Sequence, residues 1–139
     1  MEIKEFQKKI EEKNIFELKA IGTSMHPTIK NGEILFLKKT SNFKKGDVLF
    51  YSLENRFFIH RLIKKTKNGF LVKGDMLPKF DALVKTEKIL AVVEAIKKKE
   101  KIIKENKWKN YIFAILSQFN LFIFGWKIKK KFPIFFIKK

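Results

Sequence analysis

The sequence predicts a small, mainly β domain with a short N-terminal helix and a helical C-terminal tail. Three observations carry that prediction. Between residues 15 and 98, short runs rich in β-branched and aromatic residues alternate with turn signals built on Gly, Asn and Pro. Residues 1–14 are charged throughout, with Ile3, Phe6 and Ile10 falling roughly on one helical face. From residue 99 onward, lysine clusters surround an aromatic stretch that carries no charge.

Taken in order, residues 1–14 read as an amphipathic helix and contain neither a secretory signal nor an N-terminal membrane span. Residues 15–21 (IFELKAI) read as a strand entering a turn, and residues 22–33 (GTSMHPTIKNGE) as loop and turn. Strands are expected at 34–39, 48–53, 57–65 and 70–74, with a turn at Asn55 and a hairpin turn at Asn68-Gly69. Residues 75–87 read as loop. Residues 88–98 (KILAVVEAIKK) fit strand or helix, and their β-branched content favours strand. Residues 15–98 thus form the expected core domain. Residues 99–139 form the tail, helical over 99–110.

Bulk composition sets limits. The chain of 139 residues suits one compact domain with an appendage, and 45% hydrophobic residues suffice for a core. With no cysteine, disulfides and thiolate metal sites are excluded, and two histidines make a thin metal inventory. No metal and no organic cofactor is expected. The net charge is +18, unevenly spread: residues 97–139 hold 13 basic against 2 acidic side chains. Such a field attracts nucleic acid or an anionic membrane face. The uncharged segment 111–126 would reach roughly 24 Å as a helix, short of the roughly 30 Å hydrocarbon core. An aromatic segment between lysine clusters fits an interfacial anchor better, and a helix packed on the β domain is the alternative.

Three stretches carry chemistry. The first is Gly22-Thr23-Ser24-Met25-His26-Pro27-Thr28, followed by Gly32-Glu33. The second is Gly46-Asp47 leading Val48-Leu49-Phe50. The third is Ile59-His60-Arg61-Leu62-Ile63, then Lys73-Gly74-Asp75 and later Asp81. This ordered set resembles the type I signal peptidases, within the wider superfamily that includes LexA-like proteins. Most bacterial members carry Lys-Arg in the third stretch. His60-Arg61 is similar to the Ser-His branch of the endoplasmic reticulum, archaea and spore formers. The resemblance spans about residues 20–96.

The resemblance implies a LexA/signal-peptidase-like β fold and a serine endopeptidase that cleaves signal or leader peptides. It implies Ser24 as nucleophile, His60 as general base and Asp81 as the third member, with Asp75 the alternative. Gly22, Met25, Pro27, Arg61 and Gly74 belong to the motifs as structural residues whose side chains perform no chemistry. The chemistry is coherent. A serine hydroxyl needs a neighbouring base, and histidine titrates near neutrality and can return the proton to the leaving amine. Backbone N–H groups around Gly22 and Ser24 would hold the oxyanion. A substrate would bind as an extended strand at a sheet edge, with small side chains at the cleavage site.

The chain departs from the family pattern in having only 23 charged-rich residues before Ser24, where a membrane span is usual. The expected location is therefore an anionic membrane surface reached through the tail, on a side the lysine pattern does not assign. Two other readings exist. A LexA-like regulator would use lysine as base and cut itself at a small-residue pair, but this chain has histidine at that position and no Ala-Gly pair. A non-enzymatic basic module for nucleic acid or lipid would leave the three motifs unexplained, so no nucleic-acid partner is expected.

Overall fold

The computed structural model describes residues 2–125. Its elements run α1 (Ile3–Glu12), β1 (Ile15–Lys19), β2 (Ile34–Lys38), β3 (Val48–Leu53), β4 (Arg56–Thr66), β5 (Gly69–Lys73), β6 (Ala82–Val84), β7 (Ile89–Lys98), β8 (Lys101–Lys104) and α2 (Lys107–Gln118). The strands form one antiparallel sheet in the order β1-β2-β7-β3-β4-β5-β6, with β8 also paired to β7. The architecture is the expected mainly β domain with helices at both ends.

Side-chain alternation explains how one sheet organises two apolar clusters. Val48 and Phe50 of β3 enter one cluster with Leu35, Leu37 and Ile96, whereas Leu49 and Tyr51 enter the other with Leu62, Val72 and Val84. Both faces of β3 are therefore covered, which is why VLFYSL reads as a near-continuous apolar run. The β3–β4 hairpin turns at Glu54 and Asn55, both in the left-handed region, as its two-residue turn requires. Its register sets Leu49 opposite His60 and Tyr51 opposite Phe58. Phe58 and His60 share a strand face, so Tyr51 is the diagonal neighbour of His60.

Helix α1 packs as its periodicity predicts. Phe6 and Ile10 are buried, and the Phe6 ring meets Phe16, Phe50 and Phe57 at centroid distances of 4.8, 5.1 and 5.2 Å. Burying each such side chain contributes about 1.5–3 kcal/mol.

The tail differs from expectation in one part. Residues 99–110 were expected to be helical, yet Lys101–Lys104 pair with β7 in a hairpin that turns at Lys99 and Glu100. Lys99 adopts a φ of 56° there. Edge pairing to β7, with the β-branched Ile102 and Ile103, outweighs the helix preference of lysine. The helix starts only at Lys107, where the Asn106 side chain accepts from Trp108 N–H and Lys109 N–H at 2.9 and 3.1 Å. Helix α2 then buries Asn110, Ala114 and Ser117. It approaches the β2–β3 connection so closely that a Cβ on Gly46 would collide with the Asn110 carbonyl. Lys107 Nζ pairs with Asp47 Oδ1 at 2.6 Å across the same contact. Among the described residues no helix is long and apolar enough to cross a membrane. The expectations for residues 126–139 lie outside the described residues.

Candidate active site

The loop between β1 and β2 holds Ser24, and several independent tethers fix it. Ala20 N–H donates to Glu33 O at 2.8 Å and Gly32 N–H to Ala20 O at 2.8 Å, closing the base of the loop. Lys98 Nζ reaches from β7 to Thr28 O at 2.7 Å and to Glu33 Oε2 at 3.1 Å. Met25 and Ile29 are buried and anchor the loop to the core, while Pro27 is exposed. Ser24 itself is half-buried.

Strand β4 supplies His60. Its Nδ1 lies 2.8 Å from Asp81 Oδ2, and the imidazole is buried. Asp81 sits just before β6, where its N–H donates to Val72 O at 2.9 Å. A third group completes this corner. Tyr51 hydroxyl donates to Asp81 Oδ2 at 2.5 Å and lies 2.9 Å from His60 Nδ1. With Nδ1–H donating to Asp81, Nε2 is the unprotonated nitrogen, the form a general base requires.

Asp75, the alternative third member, has a different position. It is wholly buried and takes a two-pronged contact from Arg61, Nε to Oδ1 at 2.9 Å and Nη2 to Oδ2 at 2.8 Å. Thr28 hydroxyl also donates to Asp75 Oδ2, at 2.5 Å. Arg61 further donates to Gly46 O at 2.9 Å and faces the Phe113 ring of α2. Asp75 thus ties the Ser24 loop to β4, Arg61 carries the contact on to α2, and no hydrogen bond links Asp75 to His60 among the described residues. Next to it, Gly74 allows a close backbone approach. Met76 N–H donates to Ser24 O at 2.8 Å, and a Cβ on Gly74 would lie 2.7 Å from that same oxygen.

Ser24 and His60 line one cavity of about 300 Å³, together with Gly22. No hydrogen bond joins Ser24 to His60 among the described residues. Catalytic hydrogen bonds are often long before substrate binds and tighten only in the complex. The oxyanion expectation needs one correction: Gly22 N–H donates to Asn31 Oδ1 at 2.9 Å and is therefore occupied. The N–H groups of Ser24 and Met25 make no hydrogen bond among the described residues and remain available.

Electrostatics favour a neutral imidazole at pH 7. Burial pushes His60 below its ordinary value of 6.5, and the Asp81 carboxylate opposes that shift. Burial, then the hydrogen bond to Asp81, raises the Tyr51 hydroxyl far above its ordinary 10.0, so it stays a donor. Lys73 is buried with Nζ at 3.3 Å from Gly74 O and 3.4 Å from Ser117 Oγ, and burial lowers it from 10.5. Among the described residues no group of three or more His, Cys, Asp or Glu is placed to hold a metal ion.

Sequence reasoning missed Tyr51, Thr28 and the burial of Lys73. Tyr51 had a signal, since antiparallel pairing across the Asn55 turn puts it on the face of His60. Thr28 belongs to the nucleophile motif, but its contact with Asp75 spans 47 positions and leaves no local pattern.

No curated protein and no solved structure matches the chain. The family described as Peptidase S24-like matches residues 2–75, a span holding Ser24, His60, Arg61, Gly74 and Asp75 but ending before Asp81. Together with a mainly β architecture that carries the matched motifs in order, this places the fold in the class of LexA-like and signal-peptidase-like proteins. The chain belongs to the Peptidase S24-like family.

Proposed function

We propose that this chain is a serine endopeptidase of the signal-peptidase kind, which removes a signal or leader peptide from a precursor protein through an acyl-enzyme on Ser24. The observation that carries the reading is the shared cavity of Ser24 and His60, with Asp81 seated on His60 Nδ1. Ser24 Oγ attacks the scissile carbonyl carbon, and its proton passes to His60 Nε2. Ser24 and Met25 N–H groups receive the oxyanion. Collapse breaks the C–N bond, and the imidazolium gives its proton to the leaving amine. Water, deprotonated by the same imidazole, then hydrolyses the ester and restores Ser24. Asp81 holds the tautomer and stabilises the imidazolium. The substrate lies extended along β1, an edge strand whose second edge is free among the described residues.

The enzyme acts at an anionic membrane surface. Supporting this, Trp108, Tyr111 and Ile112 are exposed on α2, and Lys44, Lys45 and Lys107 lie around the same patch. Vesicles containing phosphatidylserine should sediment the full chain at low salt, and Trp108→Ala should weaken that binding. Equal sedimentation with neutral vesicles at high salt would count against it.

A LexA-like regulator that cuts its own kind shares the family match. His60 at the base position favours action on a separate substrate. The deciding experiment incubates purified chain with precursor peptides whose cleavage positions range from alanine to leucine and phenylalanine. A fluorophosphonate in parallel reports the nucleophile, Ser24 Oγ displacing fluoride from phosphorus. Wild type should cleave and be labelled on Ser24, and Ser24→Ala and His60→Ala should lose both. Equal cleavage by all three would remove the mechanism.

A further inference from the structure

The walls of the cavity beside Ser24 carry information about substrate that the motifs do not. The cavity holds about 300 Å³, the lower end of the range that accepts small ligands. That is far more room than a methyl side chain needs. Its lining is mostly apolar and aromatic, with Lys19, Ser24 and His60 as its polar members: Phe6 comes from α1, Leu18 from β1, Phe50 from β3, and Phe57 and Ile59 from β4. Phe6, Phe50 and Phe57 hold one another in place, with Phe50 and Phe57 stacked at 5.3 Å and Phe6 within 5.2 Å of both. A preformed, largely apolar cavity gains most by excluding water with a matching apolar side chain. An alanine would leave most of it unfilled.

We propose that this cavity is the pocket for the side chain next to the scissile carbonyl, and that it selects a bulky apolar residue, leucine or phenylalanine, over alanine. The proposal rests on the peptidase reading above and names the substrate class of that same site. Because Ser24 and His60 line the cavity, its occupant lies beside the bond under attack. Because Leu18, Lys19 and Ala20 line it too, an extended peptide following β1 would direct alternate side chains toward it, the one nearest Ser24 being the one beside the scissile carbonyl. Phe6 makes the N-terminal helix part of the specificity pocket, a role outside the sequence motifs. This departs from the small-residue preference that the family resemblance implies.

The test uses peptidyl diphenyl phosphonates on the full chain, in which Ser24 Oγ displaces phenol from phosphorus. Three probes differ only in the residue at phosphorus: alanyl, leucyl or phenylalanyl. The quantity read is the ratio of leucyl to alanyl rates, which general loss of fold or of nucleophile does not alter. Wild type should favour the leucyl or phenylalanyl probe by at least about tenfold, since even single methylenes can discriminate to that extent. Leu18→Trp, at a half-exposed position that tolerates bulk, narrows the pocket and should lower the ratio by at least about tenfold. Phe57→Ala should move preference further toward phenylalanyl. Fluorophosphonate labelling of Ser24 with the alanyl probe fastest, or a ratio untouched by Leu18→Trp, would overturn the proposal and leave the peptidase reading standing. Failure of fluorophosphonate to label Ser24 would overturn the peptidase reading and this proposal with it.

Discussion

Asp81 places a carboxylate oxygen 2.8 Å from His60 Nδ1, while Asp75, six residues earlier, is wholly buried against Arg61. Two aspartates at the end of one motif therefore do different work, and substitution should separate them. Asp81→Asn keeps the shape of the corner but weakens the hold on the tautomer and imidazolium. We expect kcat on a cleavable peptide to fall by about 10²–10⁴-fold, the usual span of acid–base assistance, with a small change in Tm. Asp75→Asn leaves the Arg61 guanidinium buried without its counter-charge, which costs about 3–5 kcal/mol. A large fall in Tm should accompany its loss of activity. Similar Tm losses in the two variants would contradict the division of roles.

Tyr51 should tune the base and leave the fold nearly intact. Its hydroxyl donates to Asp81 Oδ2 at 2.5 Å, drawing charge from the carboxylate beside His60 Nδ1. Removing that donor in Tyr51→Phe makes the carboxylate a stronger partner for the charged ring. The acid limb of the kcat/KM–pH profile should then move to higher pH than in wild type. A limb that moves to lower pH, or not at all, would remove Tyr51 from the proton-transfer assembly.

The wild-type pH profile follows from the same corner. Burial holds His60 below its ordinary 6.5, so the imidazole is neutral at pH 7, and with His60 as the proposed base the acid limb of kcat/KM should lie below 6.5. Stability carries the same sign. With a folded pKa below the unfolded one, the unfolded chain binds the extra proton first as pH falls. The His60 contribution is fully present above pH 6.5 and is lost as pH drops from there through the folded value. His60→Gln should flatten Tm against pH across that window. A Tm–pH curve identical to wild type would assign the titration elsewhere.

The sheet and its turns were legible because they follow local rules. Asn55 sits in a left-handed turn, Phe6 and Ile10 face inward from α1, and the alternation of β3 sends Val48 and Tyr51 to opposite clusters. The segment 99–106 was not legible, because β8 exists only by pairing with β7 and its lysines favour helix on their own. At the site, the motifs pointed to Ser24, His60 and both aspartates, yet left open which aspartate faces the imidazole. That choice is made by position in three dimensions: Asp81 is carried to His60 where the chain enters β6, while Asp75 turns toward Arg61 on the opposite strand face. Thr28, Tyr51 and Lys73 draw their importance from partners distant in sequence.

Gly74 offers the sharpest test of how the loop around the nucleophile is positioned. Its backbone passes under the Ser24 carbonyl, which accepts from Met76 N–H at 2.8 Å. A Cβ there would stand 2.7 Å from that oxygen and 2.9 Å from the Leu77 side chain. The leucine can rotate away, but the carbonyl belongs to Ser24 itself and cannot yield without shifting that residue. Gly74→Ala should therefore displace Ser24 relative to His60. A misplacement near 1 Å costs about 10²-fold in rate, so kcat/KM should fall at least that far. Fluorophosphonate labelling should slow in parallel, because that reaction needs the same nucleophile and base but no peptide-binding contacts. Gly46→Ala is the comparison, since its Cβ would collide with Asn110 of α2 and not with the Ser24 loop. It should lower Tm while leaving the labelling rate of the folded fraction closer to wild type. If Gly74→Ala labels as fast as wild type, the close approach at Ser24 does not position the nucleophile.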